Sequence, residues 1–461
     1  MTLVNTISAC WSDLFGSPRR AQWRMGGISL AQARATEMQD RRWRVLLSAY
    51  ACEPNRGSEA GVGWEWATRL ARTHDVWVLT RASNRASIEK QLGIEEKADT
   101  PRFIYLDLPK WVLWLKRHGV VPVQVYYVLW QYLAAHRVER KQLDIDVVHH
   151  VTFGNFQFPG MWWKGRWKVV LGPLGGIARP AEHYRRCFGT GWWREWLRLQ
   201  MLRIWRLNPW TKRSFRCADA LVFVTDEMAR ECGADHTCVH VQLDVAATDA
   251  ILGMNVGRPV RHDFLWVGTI AGHKGWQLAL EAFAMAFGSM HDSPHLVMLG
   301  EGPDKRAAQR LAEDLGITRL VEFRGQVDRP EVWNTLRLVK GLLFTSVRDT
   351  TGNVVLEAMS LQCPVICLNH NGAAQLTDQT CALRVKPGPW AATVTAFATA
   401  LTQLERDASL VEALGRAGHR RIQRQFTWER KVNQMNEIFA SVLGDTTCTC
   451  QAPSPSIGTQ I

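Results

Sequence analysis

Short apolar runs of strand length alternate with helix-length segments along most of this chain. The run 43–50 is followed by a glycine-containing loop, a helical segment at 64–72 and a second apolar run at 75–80. Further runs of this kind lie at 144–153, 167–176, 218–225, 239–243, 264–268, 295–299, 321–325, 341–344 and 364–368. Continuous apolar runs are typical of parallel strands buried on both faces. Their alternation with helices predicts an α/β fold of doubly wound parallel sheets.

The runs fall into two series, separated by an irregular stretch near Asn255 and Pro259. A chain of 461 residues has the length of two domains with tails. The pattern therefore predicts a first domain at 43–250 and a second at 260–425. A final helix is expected at 426–443. The segments 1–42 and 444–461 lack sustained periodicity, and we expect a loosely ordered extension and a disordered tail.

Composition narrows the possible partners and the compartment. The net charge of +13 favours acidic partners such as phosphorylated ligands or anionic lipid surfaces. Eleven cysteines without a CxxC pair predict a reduced, cytosolic protein and no metal site. The beginning of the chain has no run typical of a signal peptide. The uncharged stretch 120–135 is shorter than a membrane span of about 20 residues, so we expect no span there.

Two segments, 109–141 and 190–216, combine tryptophan, leucine and basic residues. Helices of this composition suit the membrane interface, where aromatic rings lie at headgroup level and arginine meets lipid phosphate. Helices packed on a sheet, with their arginine faces in solvent, would explain the same pattern. Nucleic-acid binding is not expected, because no nucleic-acid module motif accompanies the aromatic residues.

The stretch 345–359 carries the clearest chemistry. It predicts the end of a buried strand, a polar loop and a helix that begins near Gly352, with Asp349 and Glu357 bracketing its start. A helix start attracts anions, whereas carboxylates beside it suit hydroxyl groups. Lys274 precedes another helix, at 276–287, where a cation can hold a diphosphate. Phosphate and hydroxyl recognition together predict a nucleotide-sugar site.

The first half offers glycine loops and two histidines as candidate cleft residues. Gly57 and Gly61 follow the first strand, and Gly175 follows a later one, so backbone could approach a ligand there. The spacing does not match a dinucleotide fingerprint, and a flexible turn is the alternative. His149 and His150 point to opposite faces of a strand, so at most one should meet the cleft. That one could bond a substrate hydroxyl or carry a proton; a structural role is equally open. The Asp144–Asp146 pair precedes the strand and predicts a solvated turn.

The second half resembles the retaining, GT-B-fold glycosyltransferases of family 4. Six blocks carry the resemblance, in order: 267–275, 300–303, 323–325, 349–359, 364–365 and 372–374. The first half is less similar, through 57–61 and 146–149, to transferases of bacterial surface-polysaccharide assembly. The resemblance implies two facing Rossmann-like domains with a deep cleft between them, the final helix crossing back to the first domain.

The resemblance also implies roles for single residues. Glu357 would hold the donor ribose, and Asp349 would contact the donor sugar. Lys274 would neutralise the diphosphate. The other implied donor-binding positions are the backbone N–H groups of Gly352 and Asn353 for the diphosphate, Gln326 and Val327 near the base, and Thr269 on the diphosphate side.

Three departures from the family pattern bear on activity. Asp349 stands where the family usually has glutamate, Thr269 replaces an arginine, and 172–176 lacks a histidine that many members have. A catalytically silent, glycan- or lipid-binding scaffold of the same fold is therefore the alternative to an enzyme. A nucleotide-sugar epimerase or glycan phosphorylase is disfavoured by the donor-half motifs.

The resemblance thus implies a metal-independent hexosyltransferase without a cofactor. Its donor would be a nucleoside-diphosphate sugar, and its acceptor a glycan, in particular a lipid-linked one. The basic, aromatic helices predict a protein on the cytoplasmic side that associates with the inner membrane surface.

Overall fold

The computed structural model describes residues 42–54, 58–94, 99–176, 178–180, 182–232, 236, 238–256, 262–290 and 292–444. The predicted extension at 1–42 and the tail at 444–461 lie outside these ranges, except for one residue at each inner end. Gly57 lies outside them as well.

The first sheet of the described chain contains seven parallel strands in the order β3-β2-β1-β4-β5-β6-β7. They are β1 (Arg44–Ser48), β2 (Asp75–Thr80), β3 (Arg102–Tyr105), β4 (Val147–His150), β5 (Lys168–Leu174), β6 (Ala220–Phe223) and β7 (Val239–Val241). The strand order reverses where β4 pairs with β1 on the side opposite β2. In doubly wound sheets ligands bind at the carboxyl ends of the strands beside such a reversal.

Helices lie along the connections of this sheet. They are α1 (Ser58–Leu70), α2 (Arg85–Ile94), α3 (Lys110–Arg117), α4 (Val123–Arg140), α5 (Trp192–Arg206), α6 (Pro209–Cys217), α7 (Asp226–Cys232) and α8 (Asp249–Leu252). The core on one side of the sheet includes aromatic side chains of α4, among them Tyr126, Tyr127 and Trp130. Part of the predicted aromatic cluster is therefore core.

The second sheet has six parallel strands in the order β10-β9-β8-β11-β12-β13. They are β8 (Phe264–Val267), β9 (Leu296–Leu299), β10 (Val321–Gly325), β11 (Gly341–Phe344), β12 (Val365–Leu368) and β13 (Leu383–Val385). The helices of this half are α9 (Trp276–Phe287), α10 (Lys305–Asp314), α11 (Arg329–Leu338), α12 (Asn353–Ser360), α13 (Asn371–Leu376), α14 (Trp390–Arg406) and α15 (Ala408–Gln425). The predicted class, two doubly wound parallel sheets, is confirmed.

The predicted start of the first helix is wrong. Helix α1 begins at Ser58 instead of Trp64, so Gly61 and Gly63 lie inside a helix and not in a loop. A Cβ atom at Gly63 would lie 2.1 Å from the carbonyl oxygen of Ala51. Glycine at this position lets the helix pack closely on the segment that follows β1.

The last helix, α16 (Trp428–Val442), packs on α1 of the first half. The Trp428 ring meets Trp66 edge to face at 5.6 Å, and the Ala247 N–H donates to the Phe426 carbonyl at 2.8 Å. Lys431 lies buried against both tryptophan rings and donates to the Leu243 carbonyl. Burial lowers the pKa of Lys431 to about 7.

The helices α3 to α6 keep many large apolar side chains on the surface. The exposed residues are Trp111, Trp114, Val123, Val125, Leu129, Tyr132, Trp193, Trp196, Leu197, Met201, Ile204 and Trp210. On α5, Trp193, Leu197, Met201 and Ile204 recur at helical spacing and form one exposed stripe. None of the described helices combines the length and the apolar character that crossing a membrane requires.

Candidate functional site

A cavity of about 350 Å³ lies between the two sheets. Its walls come from segments that follow the carboxyl ends of strands in both halves, as expected for a ligand cleft of α/β sheets. The lining residues are Glu59, Val62, Val151, Phe153, Gly154, Asn155, Pro173, Asp244, Val245 and Asn353. Asn353 is the first residue of α12, so the stretch that carries the clearest chemistry reaches this cleft.

Asp349 occupies the start of α12. Its Oδ1 accepts hydrogen bonds from the N–H groups of Gly352 at 3.1 Å and Thr351 at 3.4 Å. Gly352 has φ +75°, in the left-handed region that glycine tolerates best, and this turns the loop into the helix. The Gly352 N–H, which is predicted to donate a hydrogen bond to a diphosphate, donates to Asp349 in this structure.

Lys274 faces the same carboxylate. Its Nζ lies 2.5 Å from Asp349 Oδ2, and both side chains are only partly exposed. Lys274 is positioned by Gly275, which has φ +64° and where a Cβ atom would lie 2.2 Å from the Thr345 carbonyl oxygen. Two residues that are 75 positions apart thus form one charged pair at the donor side of the cleft.

Glu357 lies one to two turns further along α12 and is only 8% exposed. Arg329, the first residue of α11, holds it through Nε at 2.8 Å and a terminal guanidinium nitrogen at 2.7 Å. Both nitrogens contact the same oxygen, Oε1. The Arg329 guanidinium also lies over the Trp333 ring at 4.9 Å. No sequence pattern predicts the pairing of Arg329 with Glu357.

The remaining donor-side candidates lie on loops after strands of the second sheet. Gln326 and Thr269 are exposed, and Val327 is half-buried against the core. The structure places these three residues after β10 and β8, beside the reversal between β8 and β11. Their predicted contacts with a base and a diphosphate stay predictions.

Both candidate histidines are fully buried. His149 Nε2 donates to the Gly172 carbonyl at 2.9 Å, while its ring lies edge to face against Trp66 and Phe439. His150 bonds Ser48 Oγ at 3.1 Å and the Tyr127 hydroxyl at 3.0 Å. Burial lowers the pKa of each histidine to about 3, so both are neutral at pH 7. Their observed contacts are structural, and no contact described here supports the predicted roles.

Gly175 lies at a point where the two halves of the chain approach each other closely. It follows β5, and its N–H donates to the Gly154 carbonyl at 2.5 Å. A Cβ atom at Gly175 would lie 3.1 Å from the methyl group of Thr350, in the loop before α12. Gly61, in contrast, lies within α1 and is half-buried.

Among the described polar contacts that cross between the halves, three join side chains of the stretch 348–375 to acidic side chains of the first half, and the sequence did not predict them. The Thr351 hydroxyl donates to Asp244 at 2.5 Å, and Gln375 donates to Asp226 at 2.8 Å. The third joins Arg348 to Glu195 of α5, which is 5% exposed. Glu195 also accepts from Arg198 at 2.6 Å. Because Arg348 precedes Asp349, this ion pair ties helix α5 to the charged pair of the cleft.

Asp144 and Asp146 bind Arg44 at the beginning of β1, far from the carboxyl ends of the strands. Within the described ranges, no group of three or more His, Cys, Asp or Glu side chains is arranged to hold a metal ion.

Part of the second half is similar to a family of known proteins. Residues 258–421 match the family model described as glycosyl transferases group 1. Over 176 residues the chain is 28% identical to a lipopolysaccharide core biosynthesis glycosyltransferase, LpsE, of Rhizobium meliloti, covering 38% of this chain and 48% of that protein. Over 185 residues it is 26% identical to the human alpha-1,3/1,6-mannosyltransferase ALG2, covering 37% and 43%. The chain spans less than half the length of these curated relatives.

The fold of a glycosyltransferase from Rickettsia africae is similar over a larger part of the chain. The match covers 88% of this chain and 100% of that one, with a TM-score of 0.57 and 14% sequence identity. The structure therefore has the GT-B fold, with two facing Rossmann-like domains and a cleft between them.

Proposed function

We propose that this protein is a retaining, metal-independent glycosyltransferase that moves a hexosyl group from a nucleoside-diphosphate sugar to a glycan hydroxyl. The observation that carries the proposal is the Lys274–Asp349 pair at the start of α12, 2.5 Å between Nζ and Oδ2. It combines a cation for a diphosphate with a carboxylate for sugar hydroxyls. The match of residues 258–421 to a glycosyltransferase family supports it.

In the proposed reaction the bond between the anomeric carbon and the diphosphate oxygen breaks, and a bond to the acceptor oxygen forms on the same face. The acceptor proton passes to the departing diphosphate. Lys274 stabilises the negative charge that develops on the diphosphate as it leaves. Contacts between the halves, such as that of Thr351 with Asp244, exclude water while the donor is activated.

Donor binding requires Lys274 to exchange one anionic partner for another. In the structure the ammonium group of Lys274 forms an ion pair with Asp349 and with no other described acid. We propose that the diphosphate takes over this cation, and that Asp349 keeps the N–H groups of Gly352 and Thr351 while its other oxygen accepts a sugar hydroxyl. Asp349 would thus change one partner without losing its position.

Glu357 is proposed to bind the donor ribose. Arg329 contacts Oε1 with two of its three guanidinium nitrogens, so Oε2 can accept a hydroxyl while the ion pair stays intact. Arg329 is then a positioning residue that orients the nearly buried carboxylate.

The donor is best identified with a panel of nucleotide sugars and a measurement of released diphosphate. We expect one base and one sugar to give release that rises when a glycan acceptor is added. Calorimetry with the free nucleoside diphosphates should give binding of the same base. If no member of the panel is bound or turned over, the chain is a silent scaffold and the proposal is wrong.

We further propose a lipid-linked acceptor of bacterial surface-polysaccharide assembly, reached from the cytoplasmic face of the membrane. The support is the exposed apolar stripe of α5 together with the basic residues of the same helix, among them Arg194 and Arg203. An apolar face flanked by arginine is the composition of interfacial helices.

Vesicle binding tests this placement. The protein should sediment with anionic vesicles at low salt and be released as salt is raised. Leu197→Ser with Ile204→Ser should weaken this binding about thirtyfold, since the two exposed apolar side chains each contribute about 1 kcal/mol on transfer to the interface. The matched control is Met285→Ser with Leu338→Ser, two exposed apolar residues of the second domain. Equal losses in both double variants would contradict a specific membrane face.

A further inference from the structure

Two cavities of opposite character lie on either side of helix α6 in the first domain. One, of about 310 Å³, is bounded mainly by aromatic and other apolar groups. The other, of about 460 Å³, is lined by four basic side chains, those of Arg203, Arg206, Lys212 and Arg216, together with apolar ones such as Phe156, Phe215 and Leu221. Thr211, in the first turn of α6, belongs to the walls of both. An apolar space therefore adjoins a cationic one.

The walls of the apolar cavity are mainly hydrocarbon and aromatic, although the buried Oε1 of Gln131 has no hydrogen-bond partner among the described residues. The Ser214 hydroxyl donates to the Gly160 carbonyl at 2.8 Å, and the amide nitrogen of Gln131 donates to the Tyr127 hydroxyl at 2.5 Å. Its aromatic walls are Tyr127, Phe158, Trp163, Trp205 and Trp210. A sugar would need several hydrogen-bonding partners here, whereas a hydrocarbon chain needs none.

The basic cavity suits a phosphate group. Glu231 lines it and lies within 3.9 Å of Arg206, so one of the four cations is partly neutralised. Lys212 and Arg216 are exposed and have no acidic partner among the described residues. Two such cations on neighbouring turns of one helix favour a ligand with a doubly charged head.

The apolar cavity also lies next to the cleft. The Tyr127 ring stacks on Phe153, with ring centroids 4.1 Å apart, and Phe153 lines the cleft cavity. Trp210, at the rim, is 56% exposed, and Ile204 and Leu207 extend the apolar surface outward. Two stacked aromatic rings therefore separate the apolar cavity from the cleft.

We infer that helix α6 divides a two-part site for a long-chain lipid phosphate, with the chain in the apolar cavity and the phosphate among Arg203, Lys212 and Arg216. Under the proposed function, on which this assignment rests, the occupant is the lipid carrier of the acceptor. One cavity is positively charged and its neighbour is apolar. A lipid with a phosphate group should therefore bind here in preference to a neutral lipid, a free phosphate or a sugar.

The direct test uses decyl phosphate below its micelle concentration, with tryptophan fluorescence as the readout because Trp163, Trp205 and Trp210 line the apolar cavity. The protein should bind decyl phosphate at least roughly tenfold more tightly than decanol, since hydrogen bonds to charged groups are the stronger kind. Inorganic phosphate should not displace it at equal concentration.

Two pairs of variants separate the two parts of the site. Lys212→Ser with Arg216→Ser should weaken decyl phosphate binding roughly tenfold or more and leave decanol binding unchanged. Arg306→Ser with Arg319→Ser, which removes two exposed cations from the second domain, is the control of equal charge. Val128→Phe narrows the apolar cavity and should weaken both probes, whereas Val120→Phe, at an exposed position outside it, should not.

The outcomes distinguish this site from the proposed function. If decyl phosphate fails to bind while a nucleotide sugar still releases diphosphate, the lipid site is wrong and the transferase stands. If decyl phosphate binds as expected but no nucleotide sugar is bound, the lipid site stands on a silent scaffold. The inference is wrong if the Lys212/Arg216 variant and its control bind decyl phosphate equally well. It is also wrong if the site binds a neutral oligosaccharide in place of decyl phosphate.

Discussion

Replacing Lys274 with alanine is expected to lower the turnover number roughly a hundredfold to a thousandfold, the usual cost of removing one electrostatic contact with a developing charge. The loss should fall mainly on kcat, because the charge on the leaving diphosphate is larger in the transition state than in the bound donor. Lys274→Arg should restore part of the activity. Released diphosphate, measured over a range of donor concentrations, separates kcat from KM.

Lys274→Ala also breaks the ion pair with Asp349. The variant can therefore lose stability, because a partly buried carboxylate is left without a cation. Asp349→Asn in the Lys274→Ala background removes that charge, so any stability lost through the unpaired carboxylate should return while activity stays low. The matched control is Lys340→Ala, which breaks a partly buried lysine–glutamate pair of 2.7 Å with Glu405 just before β11, at the end of the strands opposite the cleft. Near-normal turnover in Lys274→Ala would remove this lysine from the mechanism.

Much of the fold could be predicted because parallel strands buried on both faces have to be apolar throughout. Strands β10 and β11 and helix α9 have the bounds that the apolar pattern predicts. The start of α1 could not be predicted in this way. Glycine usually indicates a loop, but Gly63 is required by the close approach of α1 to Ala51, a tertiary contact that the local pattern does not contain.

The histidines show the limit of strand periodicity. Alternation correctly separates the faces of His149 and His150, but helices cover both faces of a parallel sheet. Each ring is therefore buried, one against Gly172 and the other between Ser48 and Tyr127. A pattern of side-chain directions cannot tell a cleft from a core, because the difference depends on where the strand ends relative to its neighbours.

The partners of the candidate site residues could not be predicted, since they are far apart in the chain. Lys274 and Asp349 were each expected at the donor side, but their mutual ion pair became evident only from the structure. The same is true of Arg329, whose contact with Glu357 spans 28 positions, and of Glu195, which is 153 positions from Arg348. Ion pairs of this kind follow from the packing of loops at strand ends, for which one sequence carries no local signal.

Glu357→Gln is expected to raise the donor KM roughly a hundredfold with a smaller change in kcat. A ribose hydroxyl bound by a carboxylate contributes about 1.5–3 kcal/mol, and a contact made equally in ground and transition states mainly affects KM. The variant keeps the size of the side chain on α12, so the helix should fold as before. Glu331→Gln, an exposed acid on α11 next to Arg329, is the control.

The donor itself provides a sharper test of this role. Whichever nucleoside diphosphate binds, its 2′-deoxy form should bind the native protein more weakly, because Glu357 loses a hydroxyl partner. The same change in the ligand should cost little in Glu357→Gln, so the two effects should not add. Arg329→Met should weaken binding of the ribonucleotide more than binding of its deoxy form, since Arg329 orients the carboxylate that accepts the ribose hydroxyl. An equal penalty for the deoxy ligand in the native protein and in Glu357→Gln would place the ribose elsewhere in the cleft.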